Sequence, residues 1–207
     1  MAAPVITVDA AFGSNPGASS YTWTKLHEDG VLPRVRELSY RRGRQNELGR
    51  METGTGSLTL KDPDSDFDPD NTAGLYYPNL RPMVPIRAQL TLAGVTYPLF
   101  QHFAERWPRT VRVRERYTER QVMTVDGFEW LAHAGIQGDV YSQELSGTRI
   151  GNVLTNAGWS STLRDLDAGQ DTIAAVTFAA ADATKALEHL LDVADTENGL
   201  LFMDGQG

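Results

Sequence analysis

Apolar and polar positions alternate with a period of two along much of residues 1–126, and with a longer period after that. Pro-Val-Ile-Thr-Val-Asp at 4–9 predicts a strand, and residues 13–20, rich in Gly, Ser, Asn and Pro, predict a loop. Tyr21-Thr22-Trp23-Thr24 returns to strand chemistry. Residues 35–40 predict a strand with Val35, Glu37 and Ser39 on one face and Arg36, Leu38 and Tyr40 on the other. A further strand over 53–60 puts Leu58 and Leu60 together. The runs 84–92 and 96–107 flank Ala93-Gly94, which is a hairpin signal. Residues 110–116 and 120–125 continue the pattern. In Val111-Arg112-Val113-Arg114 the valines take one face and the arginines the other, as in a half-buried antiparallel strand with a basic outer side. The strand spacing over 35–126 is that of a meander or small barrel.

After residue 126 the period lengthens. Gly-Phe-Glu-Trp-Leu-Ala-His-Ala at 127–134 predicts a short helical turn ending at Gly135. Ser146-Gly147 opens a helix through Ile150, Val153 and Leu154 that Gly158 stops. Asp182 is a suitable N-cap for a helix over 183–194, with Leu187, Leu190, Leu191 and Ala194 as its apolar stripe. Gly199 ends that helix and Leu200-Leu201-Phe202-Met203 predicts a strand. The following Asp204-Gly205 makes it read as the first half of a hairpin whose return strand would lie beyond Gly207. The expected fold class is a β-rich α+β protein: an arm over 1–33, a β-barrel over 34–126 and a smaller α+β domain over 127–207.

Composition narrows the functional classes. With no cysteine among 207 residues, a disulfide scaffold and thiolate metal sites are excluded. No apolar run approaches the length that spans a bilayer, and the N-terminus lacks the basic-then-apolar order of a secretory signal. The net charge of −8 is unevenly placed: −2 over residues 1–33, +4 over 34–120 and −10 over 121–207. A basic middle and an acidic remainder do not describe a nucleic-acid binder with one broad basic face. They fit surfaces that meet differently charged neighbours, or charge collected on solvated faces.

The long stretch 61–82 has three internal prolines and little periodicity, and loops of that length are usually functional or pinned by a neighbour. Five aspartates alternate through Asp62-Pro63-Asp64-Ser65-Asp66-Phe67-Asp68-Pro69-Asp70. An EF-hand starting at Asp62 needs Gly sixth and Glu twelfth, where this chain has Phe67 and Ala73. Two readings stay open: an irregular Ca²⁺ site on Asp62, Asp64 and Asp66, or turn-capping carboxylates around a Phe67 that plugs the core. Arg41-Arg42-Gly43-Arg44 is a basic turn suited to an acidic partner face or to phosphate. His27, His102, His133 and His189 are scattered without metal-ligand spacing, and neither a phosphate loop nor a GxSxG elbow is present. Carboxylates are numerous enough that a glycosidase pair stays open. Trp23, Tyr76, Tyr77, Trp107, Trp130 and Trp159 read as a sugar platform or, more commonly, as core and interface anchors.

One ordered string of motifs carries a resemblance: Arg42-Gly43-Arg44, Glu47-Leu48, Gly54-Thr55, Leu58-Thr59-Leu60, Phe67-Asp68-Pro69, Asn71, Tyr76-Tyr77-Pro78-Asn79-Leu80-Arg81-Pro82, Ile86-Arg87 and Tyr97-Pro98-Leu99-Phe100. Asp126-Gly127-Phe128, Ser146-Gly147-Thr148-Arg149-Ile150, Ala157-Gly158-Trp159 and Glu197-Asn198-Gly199 extend it. From about residue 34 onward the chain resembles the N-terminal region of minor tail proteins of long-tailed actinobacteriophages, which are similar to baseplate tail-hub proteins. Ser65-Asp66, where that family often has Gly, and Ala73-Gly74-Leu75, in place of Ser-Pro, are departures. The resemblance implies a tail-tube-like barrel, a trimeric hub ring at the virion tail tip assembled in the host cytoplasm, and a structural role without catalysis or cofactor. Implied partners are a distal tail protein, the tape measure and other minor tail proteins, with DNA passing through the lumen. Arg41, Arg42, Arg44, Phe67, Tyr76, Tyr77 and Leu80 are the expected subunit-contact residues. A receptor- or glycan-binding module and a cell-wall hydrolase component are the alternatives.

Overall fold

Alternating apolar residues build one large antiparallel sheet in the computed structural model, which describes residues 3–43, 49–112, 117–181 and 183–207, with backbone only at 110–112 and 117. Its strands are β1 (Val5–Ala10), β2 (Thr24–Glu28), β3 (Val35–Gly43), β4 (Glu52–Asp62), β5 (Pro85–Leu92), β6 (Val95–Arg106), β7 (Arg109–Arg112) and β8 (Tyr117–Val125). The order across the sheet is β2-β1-β5-β6-β8-β4-β3, and β7 also pairs with β8. The β5–β6 turn falls at Ala93-Gly94, as the sequence predicts. Both residues have positive φ (51° and 83°), the backbone that matches a two-residue turn to strand twist.

The sheet is open, which corrects the expected closed barrel. Among the described residues the edge strands β2 and β3 share no backbone pairing. The chain turns between them at Glu28–Leu32. The N–H of Val35, at the start of β3, donates to the His27 ring Nδ1 (3.1 Å), so a side chain takes the donor that a closing ladder would use. The sheet still curls enough for Val8, Leu26, Leu58, Leu60, Ile86, Phe100 and Val122 to share one core with Phe67 and Leu80 from the long loop. Residues before 34 therefore contribute two strands to this sheet. The strand expected over 21–24 begins instead at Thr24, where Leu26 and His27 turn inward.

Past β8 the chain forms a helical layer: α1 (Gly127–His133), α2 (Ser146–Asn156) and α3 (Ala186–Thr196), with short strands β9 (Val140–Tyr141), β10 (Glu144–Leu145), β11 (Thr172–Ile173) and β12 (Val176–Thr177) between them. A second core joins Phe103 of β6 to Phe128, Leu131, Ile150, Val153, Leu154, Trp159, Leu190 and Val193. Gly158, at φ 79°, ends the α2 region as expected. Helix α3 starts at Ala186, three residues after the expected start, and buries Ala186, Leu190, Val193 and Ala194. Residues 200–203 are not a strand, because no described residue pairs with them; the expected hairpin arm is irregular. The expected N-cap Asp182, and Arg44, Glu47, Leu48, Val113 and Arg114, lie outside the described residues.

Polar and close-packed contacts also join the two layers. Asp126 caps α1 by accepting from Phe128 N–H (3.0 Å) and also accepts from Gly54 N–H of β4 (2.6 Å). Gly127 lies against the Trp159 ring, so close that an added Cβ would sit 2.4 Å from it. Arg50 pairs with Asp192 (2.8 Å) and Asp195 of α3.

Candidate subunit interface

The long loop is pinned to the sheet by a buried ionic and aromatic cluster. Arg120 of β8 donates through Nε to Asp62 Oδ2 (3.1 Å) and places Nη2 2.7 Å from Asp68 Oδ2. The other oxygen of Asp62 accepts from Phe67 N–H (3.1 Å), and Thr118 Oγ1 donates to the Asp62 carbonyl. Desolvation works against ionisation of Asp68, but the Asp70 N–H and the Arg120 guanidinium outweigh it and hold its carboxyl below the usual range. Phe67 stacks on Tyr76 at 5.0 Å and lies parallel to Trp107 at 6.4 Å, and Tyr76 stacks in turn on Phe12 at 4.4 Å. Arg34 lies over the Phe67 ring at 5.6 Å.

This cluster separates the expected contact residues. Phe67 is fully buried and Leu80 nearly so, both in the protomer's own core. A side chain closed off in this way packs inside its own protomer, as the core-plug reading of Phe67 has it. Tyr76 is half-buried in the stack, and Tyr77 is 44% exposed at the loop surface. Asp62 and Asp66 are turned to Arg120 and Arg34, with Asp64 exposed. Among the described residues no group of three or more His, Asp or Glu gathers in a metal-holding arrangement.

Arg41 and Arg42 project from edge strand β3, whose middle is exposed on both faces. Arg41 Nη2 lies 3.4 Å from Glu52 Oε2, a surface pair that contributes little. On the same strand Tyr40 is 40% exposed and rests against Phe100 at 5.0 Å. Arg36 instead reaches the buried Glu119 (2.9 Å). Among the described residues the β3 edge thus has no strand on its outer side and presents arginines and a tyrosine, and Tyr77 and Leu75 of the loop are exposed as well. Unpaired edges of this kind accept another chain unless they are blunted.

The aromatics do not assemble as a platform. Trp107 and Trp159 are buried, Trp130 donates to the Ala157 carbonyl (3.0 Å), and Trp23 sits under Arg87 at 4.4 Å. Sequence reasoning missed the buried groups that carry the layout: Asp126, Arg120 and Arg149. Burial pushes the Asp126 carboxyl up to about 6, against the two N–H groups that favour its ionised form. Burial, then Arg42, lowers His102 to about 4, and its Nδ1 lies 3.0 Å from Thr124 Oγ1. Arg149, fully buried, bonds Glu144 (2.7 Å) and the carbonyls of Ser142 (2.8 Å) and Ala174 (3.0 Å).

No protein-family model and no curated protein matches the chain. Solved structures do match its fold. The 43 kDa tail protein of prophage MuSo2 from Shewanella oneidensis aligns at TM-score 0.56 with 12% identity, covering 99% of this chain and 53% of that one. A chain of the lidded Francisella PdpA–VgrG complex aligns at TM-score 0.51 with 10% identity, covering 93% and 25%. A tail protein from Neisseria meningitidis MC58 aligns at TM-score 0.46 with 8% identity, covering 92% and 45%. This chain therefore spans about half the length of the Shewanella protein and a quarter of the Francisella one. At these identities the likeness to the Shewanella and Francisella chains is one of fold.

Proposed function

We propose that this chain is a structural subunit of a phage-type tail, located at the tail tip of the virion, where it forms a hub ring that continues the tail tube. The observation that carries this reading is the fold shared with a prophage tail protein along nearly the whole chain. The similarity to a chain of a VgrG complex supports it from a second direction. The open sheet supplies what a ring subunit needs, since a neighbour can cover an edge that the monomer leaves unpaired. Within it, the sheet and the helical layer act as two parts joined near Asp126.

The contact surface in this proposal is the β3 edge with Arg41 and Arg42, Arg44 following in the sequence, together with Tyr77 and the exposed side of Tyr76. Its basic charge meets the acidic helical layer of a neighbouring copy, or another tail-tip protein such as a distal tail protein or the tape measure. Three copies around a lumen through which DNA passes complete the ring. The test is charge reversal of all three arginines to Glu in the producing phage or prophage. The expected result is a block in tail assembly with the purified subunit still folded. Normal tails from the triple variant would overturn the proposal.

A further inference from the structure

The sheet contains a gap. On its β8 side, β6 is paired only from Phe103 onward, because β8 ends at Val125 and Asp126 starts α1. Residues Val95–His102, about 25 Å of strand, therefore have β5 on one side and, among the described residues, no strand on the other. The segment Leu200–Gly207 lies along this gap. A Cβ at Gly205 would fall 2.5 Å from the Pro98 carbonyl oxygen and 3.2 Å from Arg42 Nη1, and one at Gly207 would fall 2.6 Å from Gln101 Nε2. Yet among the described residues Leu200–Gly207 makes no hydrogen bond to the rest of the chain. Its only bonds are from Gln206 and Gly207 N–H back to Asp204 Oδ1.

Three further observations show that this seat is only partly filled. Gln101 is 8% exposed, and its Nε2 is buried with no hydrogen-bond partner. It lines a cleft of about 950 Å³ between sheet and helices that Thr96, Pro98, Leu200 and Phe202 also line. Leu200 and Phe202 on the arm are more than half exposed, and so is Val95 on the strand; Tyr97 is nearly so. The arm carries Asp204 and no cation, while Arg42 stands beside it at Gly205. The arm and the free edge are thus complementary in charge, apolar surface and backbone need, and among the described residues one chain seating its own arm leaves Gln101 Nε2 unbonded and Leu200, Phe202 and Val95 more than half exposed.

We propose that the β6 edge from Val95 to Gln101 is a strand-acceptor site for the 200–207 arm of a second copy of this chain. The incoming arm adds to the sheet where β8 stops. It supplies a carbonyl to Gln101 Nε2 and covers Val95 and Tyr97 with Leu200 and Phe202. Asn198, a non-glycine at φ 52°, and Gly199 form the joint at which the arm leaves α3. Each copy gives one arm and receives one, an exchange that closes in a pair or around a ring. The site adjoins the β3 edge at Arg42, and its test does not depend on the tail reading.

The chain has no cysteine of its own, so crosslinking can be site-specific. Thr96→Cys and Phe202→Cys, made as separate single variants of the full chain, are mixed under mild oxidation. A disulfide heterodimer is expected, enriched roughly tenfold over a Thr96→Cys and Asp64→Cys mixture because binding raises the effective concentration of the two thiols. Gly205→Val, which puts a side chain where the backbones approach, should abolish that enrichment when built into both variants while thermal unfolding stays cooperative. No heterodimer above the control, or a disulfide that forms only within a chain carrying both cysteines, overturns the proposal. The native mass of the wild-type chain must also exceed one copy; a monomer at all concentrations overturns it equally.

Discussion

Replacing Arg120 by Met tests whether the long loop is held by its buried ion pairs. The Arg120 side chain is 4% exposed, and those of Asp62 and Asp68 are 0% and 18% exposed. Methionine keeps most of the apolar length and removes the charge, leaving Asp62 with no cation in a dry site. Removing one partner of such a pair costs about 3–5 kcal/mol, mainly because the remaining charge stays desolvated. In a chain of this size each kcal/mol moves Tm by about 2–4 °C, so the expected shift is about 6–20 °C downward. Urea unfolding at pH 7 gives the free energy. Hydrogen exchange at Phe67 N–H, which donates to Asp62 Oδ1, reports whether the loop detaches. Adding Asp62→Asn to Arg120→Met should recover part of the loss, since it removes the orphaned charge. A cost under about 1 kcal/mol, with unchanged exchange at Phe67, would refute the reasoning and return the loop's order to aromatic packing alone.

Asp126 and Arg149 give two more tests. The folded carboxyl of Asp126 has its pKa raised from 3.8 to about 6, so its contribution is fully present below 3.8 and lost as pH rises through 6. Asp126→Asn should therefore remove a gain on acidification from pH 7 to pH 4, on the order of 3 kcal/mol, and urea titrations across that range would read it. His102 acts oppositely, its folded pKa lowered to about 4, so it contributes above 6.5 and loses that contribution as pH falls. The Asn variant, left with the histidine term, should lose stability toward acid more steeply than wild type. Arg149→Met takes the cation from Glu144, which keeps only Asn152 Nδ2 as a described donor, and the donor from the Ser142 and Ala174 carbonyls. It should cost about 3–5 kcal/mol, with exchange rising first in β10, β11 and α2.

What the sequence disclosed follows from the range of the forces involved. Strands with strict alternation, such as β4 with Leu58 and Leu60, and the Ala93-Gly94 turn are set by neighbours in the chain, and both stand where the pattern puts them. Closure of the sheet depends on whether strands remote in sequence meet. His27 bonding to Val35 N–H decides against a ladder there, and no local signal announces it. The segment 200–203 has the composition of a strand but no partner. The reading in which Phe67 plugs the core matches its place in the fold, while the burial of Leu80 has no local signal, because it depends on the loop folding back over the sheet core. The alternating aspartates were visible, but their meaning lay in Arg120, fifty-eight residues from Asp62 along the chain.

The most direct test of the tail-tip reading is electron cryomicroscopy of intact tailed particles from the strain that encodes the chain. The account predicts a ring of copies at the distal end of the tube, with β3 edges and their arginines buried against neighbours. Particles that lack the chain, or that carry it away from the tail tip, would contradict it.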